Sequence, residues 1–449
     1  MIKSPKFLLI LGIVFATAIA FAQGDFSVNE RQIHWDGERI FLRGVCYQPT
    51  PIGENPSQGP PYGDYFTANY KAVYERDILL MRDMGCNLIR VYGWTPGADH
   101  SDFLNLCYNG GDRPILVLIN RWINPATNWS SSAAVSQIEN EFLAMVPEAN
   151  QSPVVMGFLL GNETNISHGN STNPTYWSAH NLIAGAIKAA APDKLVSMPI
   201  TDSISSVASY NSSLSNLDFW SLQIYRGETF GSLFTQYQSA STKPLLITEF
   251  GMDAYDARSG EEFANNADYP ARVVGNLWNE ILAGIDVCAG GAVFEWTDEW
   301  WKVSGSVSVQ NNGGFNNPAF IDQQMNEEWW GIFRIADNGS LPDLLTPRSL
   351  HNIFRTDWKV PSVDLSITKS SGLPILRFPV TRYDLTFRLL ASTDLEGWTI
   401  IAQSDSFGNL ASSPGESLTT KKSGGVVEIT DLIPDTRRFY RLEVDRIGP

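Results

Sequence analysis

A (β/α)8 barrel followed by a small all-β sandwich is the fold class that the sequence predicts, and three observations predict it. Short apolar or β-branched runs alternate with amphipathic stretches from about residue 40 to residue 355, the rhythm of βαβ units around a parallel sheet. The alternation repeats eight times, and no G-x-G-x-x-G follows the first strand, which disfavours the open nucleotide-binding sheet. After Val360-Pro361 helical periodicity stops and only alternating strand-length segments remain.

The elements follow in order. Residues 1–22 pair Lys3 and Lys6 with an apolar run and an Ala-Phe-Ala ending, the layout of a secretory signal peptide cleaved near Ala22. The apolar run is shorter than the ~20 residues of a membrane span. The mature chain is therefore expected to be secreted or in the cell envelope, without an integral membrane span. The barrel is assigned to 23–360, with strands at 40–47, 88–94, 114–120, 154–163, 195–199, 219–225, 245–251 and 291–296. Helices are expected at 70–84, 102–108, 133–146, 176–190, 230–237, 272–283 and 347–354, from apolar residues recurring at three- and four-residue spacing. Two long loops, 50–68 and 297–345, would lie at the face where barrel active sites form. The sandwich is assigned to 361–449 as an accessory module.

Composition narrows the partner. Of 449 residues, 32 are basic and 48 acidic, for a net charge of −16, so nucleic acid and anionic membrane surfaces are excluded as electrostatic partners. Nearly all of that excess precedes residue 361. The four cysteines, at 46, 86, 107 and 288, show no metal-ligand spacing and are read as mostly free, buried thiols. No metal or organic cofactor is expected, and the chain is read as a monomer.

Two carboxylates carry the chemistry. Glu163 in GFLLGNETN and Glu249 in LLITEFG end the fourth and seventh strands, and in a barrel those ends open into one mouth. Hydrolysing a glycosidic bond with retention needs two carboxyl groups ~5–5.5 Å apart. Aromatic residues at strand ends, among them Tyr47, Trp94, Trp122, Tyr225 and Trp296, suit a sugar-binding cleft, and Asp298 and Glu299 add acidity beside it.

The stretches RGVCYQP (43–49), MGCNLIRVYGW (84–94), GNETN (161–165), ITEFG (247–251) and FEWTDEWW (294–301) resemble glycoside hydrolase clan A, the retaining (β/α)8 glycosidases. Within it, the first and third look most like the cell-wall β-1,3-glucanosyltransferase family, and FEWTDEWW with NEEWWGIF resembles family 2 barrels. The C-terminal segment resembles the small sandwich modules of secreted bacterial proteins. The resemblance makes Glu163 the general acid/base and Glu249 the nucleophile. It places Asn162 on the sugar 2-hydroxyl, Arg90 beside Glu249 where a cation favours the carboxylate, Tyr225 as a donor to Glu249, and Trp296 as an aromatic floor. Tyr47, Trp94 and Trp122 extend the substrate-binding set. It implies a retaining β-glycosidase or transglycosidase acting on β-glucan or a related β-linked oligo- or polysaccharide. The alternatives are an exo-acting family 2-like β-glycosidase, an endo-β-mannanase, or a non-catalytic carbohydrate-binding barrel.

Overall fold

The computed structural model describes residues 24–447, apart from 264–268, 304, 362, 381–383, 406–408, 424 and 433–437. The expected signal peptide, 1–22, lies outside the described residues.

The eight strands form one parallel ring: β1 (Leu42–Cys46), β2 (Leu88–Arg90), β3 (Leu116–Arg121), β4 (Val155–Leu160), β5, β6 (Trp220–Gln223), β7 (Leu245–Phe250) and β8 (Cys288–Val293). β5 runs in two pieces, Leu195–Ser197 and Pro199–Thr201, on either side of Met198; the first pairs with β4 and the second with β6. β8 pairs in parallel with β1, Gly290 opposite Leu42 and Val293 opposite Val45, so the ring closes. These strands are buried throughout, because helices cover one side and inward side chains fill the other.

Each strand feeds a helix. They are α1 (Lys71–Met84), α2 (Ser101–Tyr108), α3 (Ser132–Leu143), α4 (Val146–Gln151), α5 (Pro174–Ala190), α6 (Ile204–Tyr210), α7 (Leu233–Ala240), α8 (Tyr269–Ala283) and α9 (Ser349–Asp357). Local chemistry sets their ends. Asn173 caps α5 by accepting from the Thr175 amide, with Pro174 in the first turn, and Gly85 closes α1 at φ +91°. α8 turns Val273, Val274, Leu277, Trp278 and Ile281 to the core, where Trp278 lies between Phe250 and Trp358.

The closure leaves no room at Gly290. Its φ is +133°, and a β-carbon there would lie 2.1 Å from the Leu42 carbonyl oxygen. Gly290→Ala is expected to destabilise the fold by at least about 1–3 kcal/mol, read as a lower denaturation midpoint, because the β8–β1 seam must open to admit a methyl group.

Three features differ from the sequence reading. First, the barrel is preceded by a three-stranded antiparallel sheet, Phe26–Asn29, Gln32–Trp35 and Glu38–Ile40, missed because such short hairpin strands carry little periodicity. It covers the barrel's N-terminal end: the Phe26 amide bonds the Asp193 carbonyl at 2.9 Å, and the Arg39 guanidinium bonds that of Ile285. Second, the stretch expected as a loop at 297–345 contains two β-hairpins, built from Gly314–Asn316 with Gln324–Asn326 and Phe333–Ala336 with Leu344–Pro347. Third, α4 and α6 were not foreseen, being under two turns long.

Beyond the barrel, two four-stranded antiparallel sheets enclose a separate core that includes Leu376, Phe378, Phe387, Leu389, Ile401 and Ile429. All four cysteines are free and buried.

Candidate active site

The turn after β4 carries the first carboxylate. Gly161 and Glu163 both take positive φ, +73° and +49°, and a non-glycine residue in that region is held only where its surroundings over-determine it. Two contacts do so here: the Asn120 side chain of β3 donates to the Gly161 carbonyl at 3.0 Å, and the Glu163 amide donates to the Pro199 carbonyl of β5 at 3.0 Å. Glu163 is thereby presented half-buried at the mouth.

Glu249, 6 % exposed on β7, is the hub of the hydrogen bonding. Its Oε1 accepts from Arg90 Nη1 (2.6 Å), the Tyr92 hydroxyl (2.6 Å) and Gln223 Nε2 (2.7 Å). Its Oε2 accepts from the Tyr225 hydroxyl at 2.9 Å. Arg90 and Gln223 also both donate to Asn162 Oδ1, so residues from β2, β4, β6 and β7 are locked to one carboxylate and one amide. That double anchor fixes the orientation of Asn162, whose Nδ2 donates to no acceptor among the described residues.

Electrostatics marks out Glu163. Burial, then the negative charge of Glu249, pushes the Glu163 carboxyl up to about 8, against a smaller opposing effect of Arg90. Burial also raises the Tyr92 and Tyr225 phenols well above their ordinary range, so both are neutral donors. For Arg90, burial works to remove the proton, but its neighbours, the charge of Glu249 among them, outweigh it and the guanidinium stays charged. Cys46 lies beneath, its Sγ bonding the Thr248 carbonyl at 3.2 Å, and burial pushes the thiol up to about 12, which leaves it inert. Among the described residues no group of three or more His, Cys, Asp or Glu side chains is arranged to hold a metal ion.

Arg90→Met is expected to destabilise the protein by about 3–5 kcal/mol in chemical denaturation, because it strands a buried carboxylate. Adding Glu249→Gln should recover part of that loss, since the charge left unpaired is removed as well.

Of the residues singled out from sequence, Glu163, Glu249, Asn162, Arg90 and Tyr225 meet in this cluster. Others do not. Trp296 is 1 % exposed and packs on Phe333 at 4.7 Å, so it offers no floor to a sugar. The ring at the β8 end that meets the site is Phe294, edge-on to Tyr92 and Tyr225. Tyr47 is fully buried and donates to Asp77 at 2.9 Å, while Trp94 is buried against His100 and donates to Glu148. Neither can extend a cleft. Trp122, 65 % exposed after β3, remains available. Asp298 is buried in an ion pair with Arg348, which ties the post-β8 segment together. Gln223 was missed, although it stands two residues before Tyr225 and so shares its side of the strand.

Fold and site together define a (β/α)8 barrel of the glycoside-hydrolase kind, with paired carboxyl groups at the ends of β4 and β7. Within that class the chain belongs to the glucanosyltransferase family, whose model matches residues 17–329. Curated relatives include the 1,3-beta-glucanosyltransferase GAS5 of Saccharomyces cerevisiae, 32% identical over 143 residues, which are 30% of this chain and 26% of that protein. GAS4 of the same yeast is 25% identical over 289 residues, 59% of this chain and 56% of the relative. Protein EPD2 of Candida maltosa is 24% identical over 391 residues, 80% and 67%. The chain thus spans about a quarter of the first of these and about half of the second. Among solved structures, the beta-glucuronidase of Lactobacillus rhamnosus superposes with a TM-score of 0.53 at 16% identity, over 75% of this chain and 52% of that one. Beta-glucuronidase 2 of Bacteroides uniformis gives 0.51 at 16% identity, over 94% and 48%. At that identity the likeness is one of fold.

Proposed function

We propose that this chain is a retaining β-glucan transglycosidase that works through a covalent glycosyl-enzyme. The reading rests on one observation above all: a carboxylate held by four converging donors, Glu249, shares its site with a half-buried carboxyl group raised to about 8, Glu163. Two carboxyl groups with opposite environments are what an acid and a nucleophile require at neutral pH.

In the first step an oxygen of Glu249 bonds to the anomeric carbon as the glycosidic bond breaks, and the leaving oxygen takes the proton of Glu163. Oε2 is the attacking atom, because it accepts one hydrogen bond whereas Oε1 accepts three. Asn162, oriented by Arg90 and Gln223, donates from Nδ2 to the 2-hydroxyl of the same sugar. Glycosylation cancels the charge of Glu249 and with it the second cause of Glu163's raised value. Glu163, now a carboxylate, takes the proton of an acceptor hydroxyl. That oxygen bonds to the anomeric carbon, releases Glu249 and restores the proton on Glu163.

With a sugar as acceptor the outcome is transfer, and with water it is hydrolysis. The family and the names of the matched relatives favour transfer to β-1,3-glucan. Export is the matching location: residues 1–22 read as a leader, and no helix among the described residues is long and apolar enough to cross a membrane. The test is incubation of the purified protein with a single β-1,3-gluco-oligosaccharide, followed by mass spectrometry of the products. Chains longer than the donor are expected. Only shorter chains would establish hydrolysis instead, and an unchanged donor, with β-mannan and aryl β-glycosides also untouched, would overturn the reading in favour of a binding barrel.

A further inference from the structure

Beside the carboxylate pair, the segment after β8 places a second charged pair that the mechanism above leaves unused. Lys302 Nζ stands 2.6 Å from Glu299 Oε2 and 3.8 Å from Glu327 Oε2, and it lies 4.2 Å over the centroid of the Phe294 ring. Phe294 is the ring packed edge-on against Tyr92 and Tyr225, whose hydroxyls hold Glu249. The ammonium is thus one aromatic ring away from those two tyrosines. Glu327, just after the hairpin strand Gln324–Asn326, exerts its charge on Glu163 and feels that of Glu249.

The pair is incompletely satisfied by protein. An ammonium has three donors, and its nearest partner, Glu299 Oε2, meets it as an ion pair. The 3.8 Å approach to Glu327 is an ion pair too long to be a hydrogen bond. The side chains of Lys302 and Glu327 are 17% and 20% exposed, so both are largely dry yet still reach solvent. Behind them, Glu295 is almost fully buried, and burial with the neighbouring Glu299 raises its carboxyl well above the ordinary range. Lys302 faces two carboxyl groups, Glu299 and Glu327, while Glu249 beyond is paired with Arg90. An anionic ligand group would be repelled, whereas adjacent hydroxyls of a neutral sugar can donate to Glu327 and accept from Lys302.

We propose that Lys302 and Glu327 read a pair of hydroxyl groups on the sugar whose anomeric carbon is attacked, and so select a neutral sugar over a carboxylated one at that position. The inference rests on the glycosyl-transfer reading above and adds to it the residues that choose the donor. A purely structural role, tying the hairpin to the segment after β8, makes a different prediction.

The experiment compares kcat/KM for a neutral β-1,3-gluco-oligosaccharide, for donors deoxygenated at single positions of the reacting sugar, and for one whose C6 is oxidised to a carboxylate. The native protein is expected to disfavour at least one deoxy donor by about 10- to 100-fold, the value of a hydrogen bond to a charged group. Glu327→Gln and Lys302→Met are expected to flatten that ratio and leave the ratios for the other deoxy donors unchanged. Glu327→Gln should also raise the relative rate on the carboxylated donor. Equal losses on all donors, or ratios that do not move, overturn the proposal. If either variant melts at a lower temperature, Glu327→Asp and Lys302→Arg carry the same ratio measurement. A native protein inactive on every donor overturns the glycosyl-transfer reading itself, an outcome distinct from an active enzyme whose ratios ignore the pair.

Discussion

Glu249→Gln is expected to lower turnover on β-1,3-glucan by about 10⁴-fold or more, the scale on which loss of a nucleophile acts when the other groups depend on it. Four donors, Arg90, Tyr92, Gln223 and Tyr225, are arranged around this carboxylate and have no function in bond breaking without it. The amide is close in shape, so the loss should come without collapse of the fold. A donor bearing fluorine at C2 and a good leaving group, which slows breakdown of the glycosyl-enzyme, should label the native protein once, on the peptide containing Glu249. Mass spectrometry reads this directly. A label elsewhere, or a Glu249→Gln protein of native activity, would remove the proposed mechanism.

The second large effect concerns Glu163. Glu163→Gln is expected to reduce kcat/KM by about 10²- to 10⁴-fold for donors whose leaving group needs a proton, and much less for donors with an activated aryl leaving group. The pH dependence follows from the raised value. The first step needs Glu163 protonated, so kcat/KM of the native protein should fall as pH rises through about 8, a limb absent from the variant. The same shift has a consequence for stability. A carboxyl group raised from its ordinary value of 4.5 to about 8 on folding stays protonated in the folded chain after the unfolded chain has released its proton. Stability is therefore full below about 4.5 and declines as pH rises towards 8. Glu163→Gln lacks this proton, so its melting temperature should exceed that of the native protein increasingly over that window, by about 1–2 °C per kcal/mol relieved. Activity and stability would thus move in opposite directions at one residue.

Much of this site was legible beforehand, and the reason is local. Gly161-Asn162-Glu163 and Thr248-Glu249 each end a β-branched or apolar run, and a carboxylate in that place on a barrel strand must emerge at the mouth. Arg90 and Tyr225 end strands in the same way, so one rule located four of the residues in the cluster. The rule failed for Tyr47, Trp94 and Trp296, which also follow strands. Helices pack over those positions: Asp77 of α1 captures the Tyr47 hydroxyl, and His100, at the start of α2, encloses Trp94 together with Glu148 of α4. An aromatic side chain reads the same in sequence whether it stacks on a sugar or on a neighbour.

By itself, then, the sequence determined the order of the eight barrel strands, the change to a second β-rich region after residue 360, and the two carboxyl groups that the barrel presents. Those follow from periodicity and strand-end position, properties of a few consecutive residues. Only the tertiary structure decided that Gln223 and Tyr92 share Glu249 with Arg90, that Phe294 rather than Trp296 meets the site, and that Lys302 and Glu327 stand beside it. Each of these joins residues far apart in the chain, Arg90 and Glu249 being 159 positions from one another. Such pairings are set by the register in which β8 closes on β1 and by how the long segment after β8 folds back, and neither is written in the period of any one element.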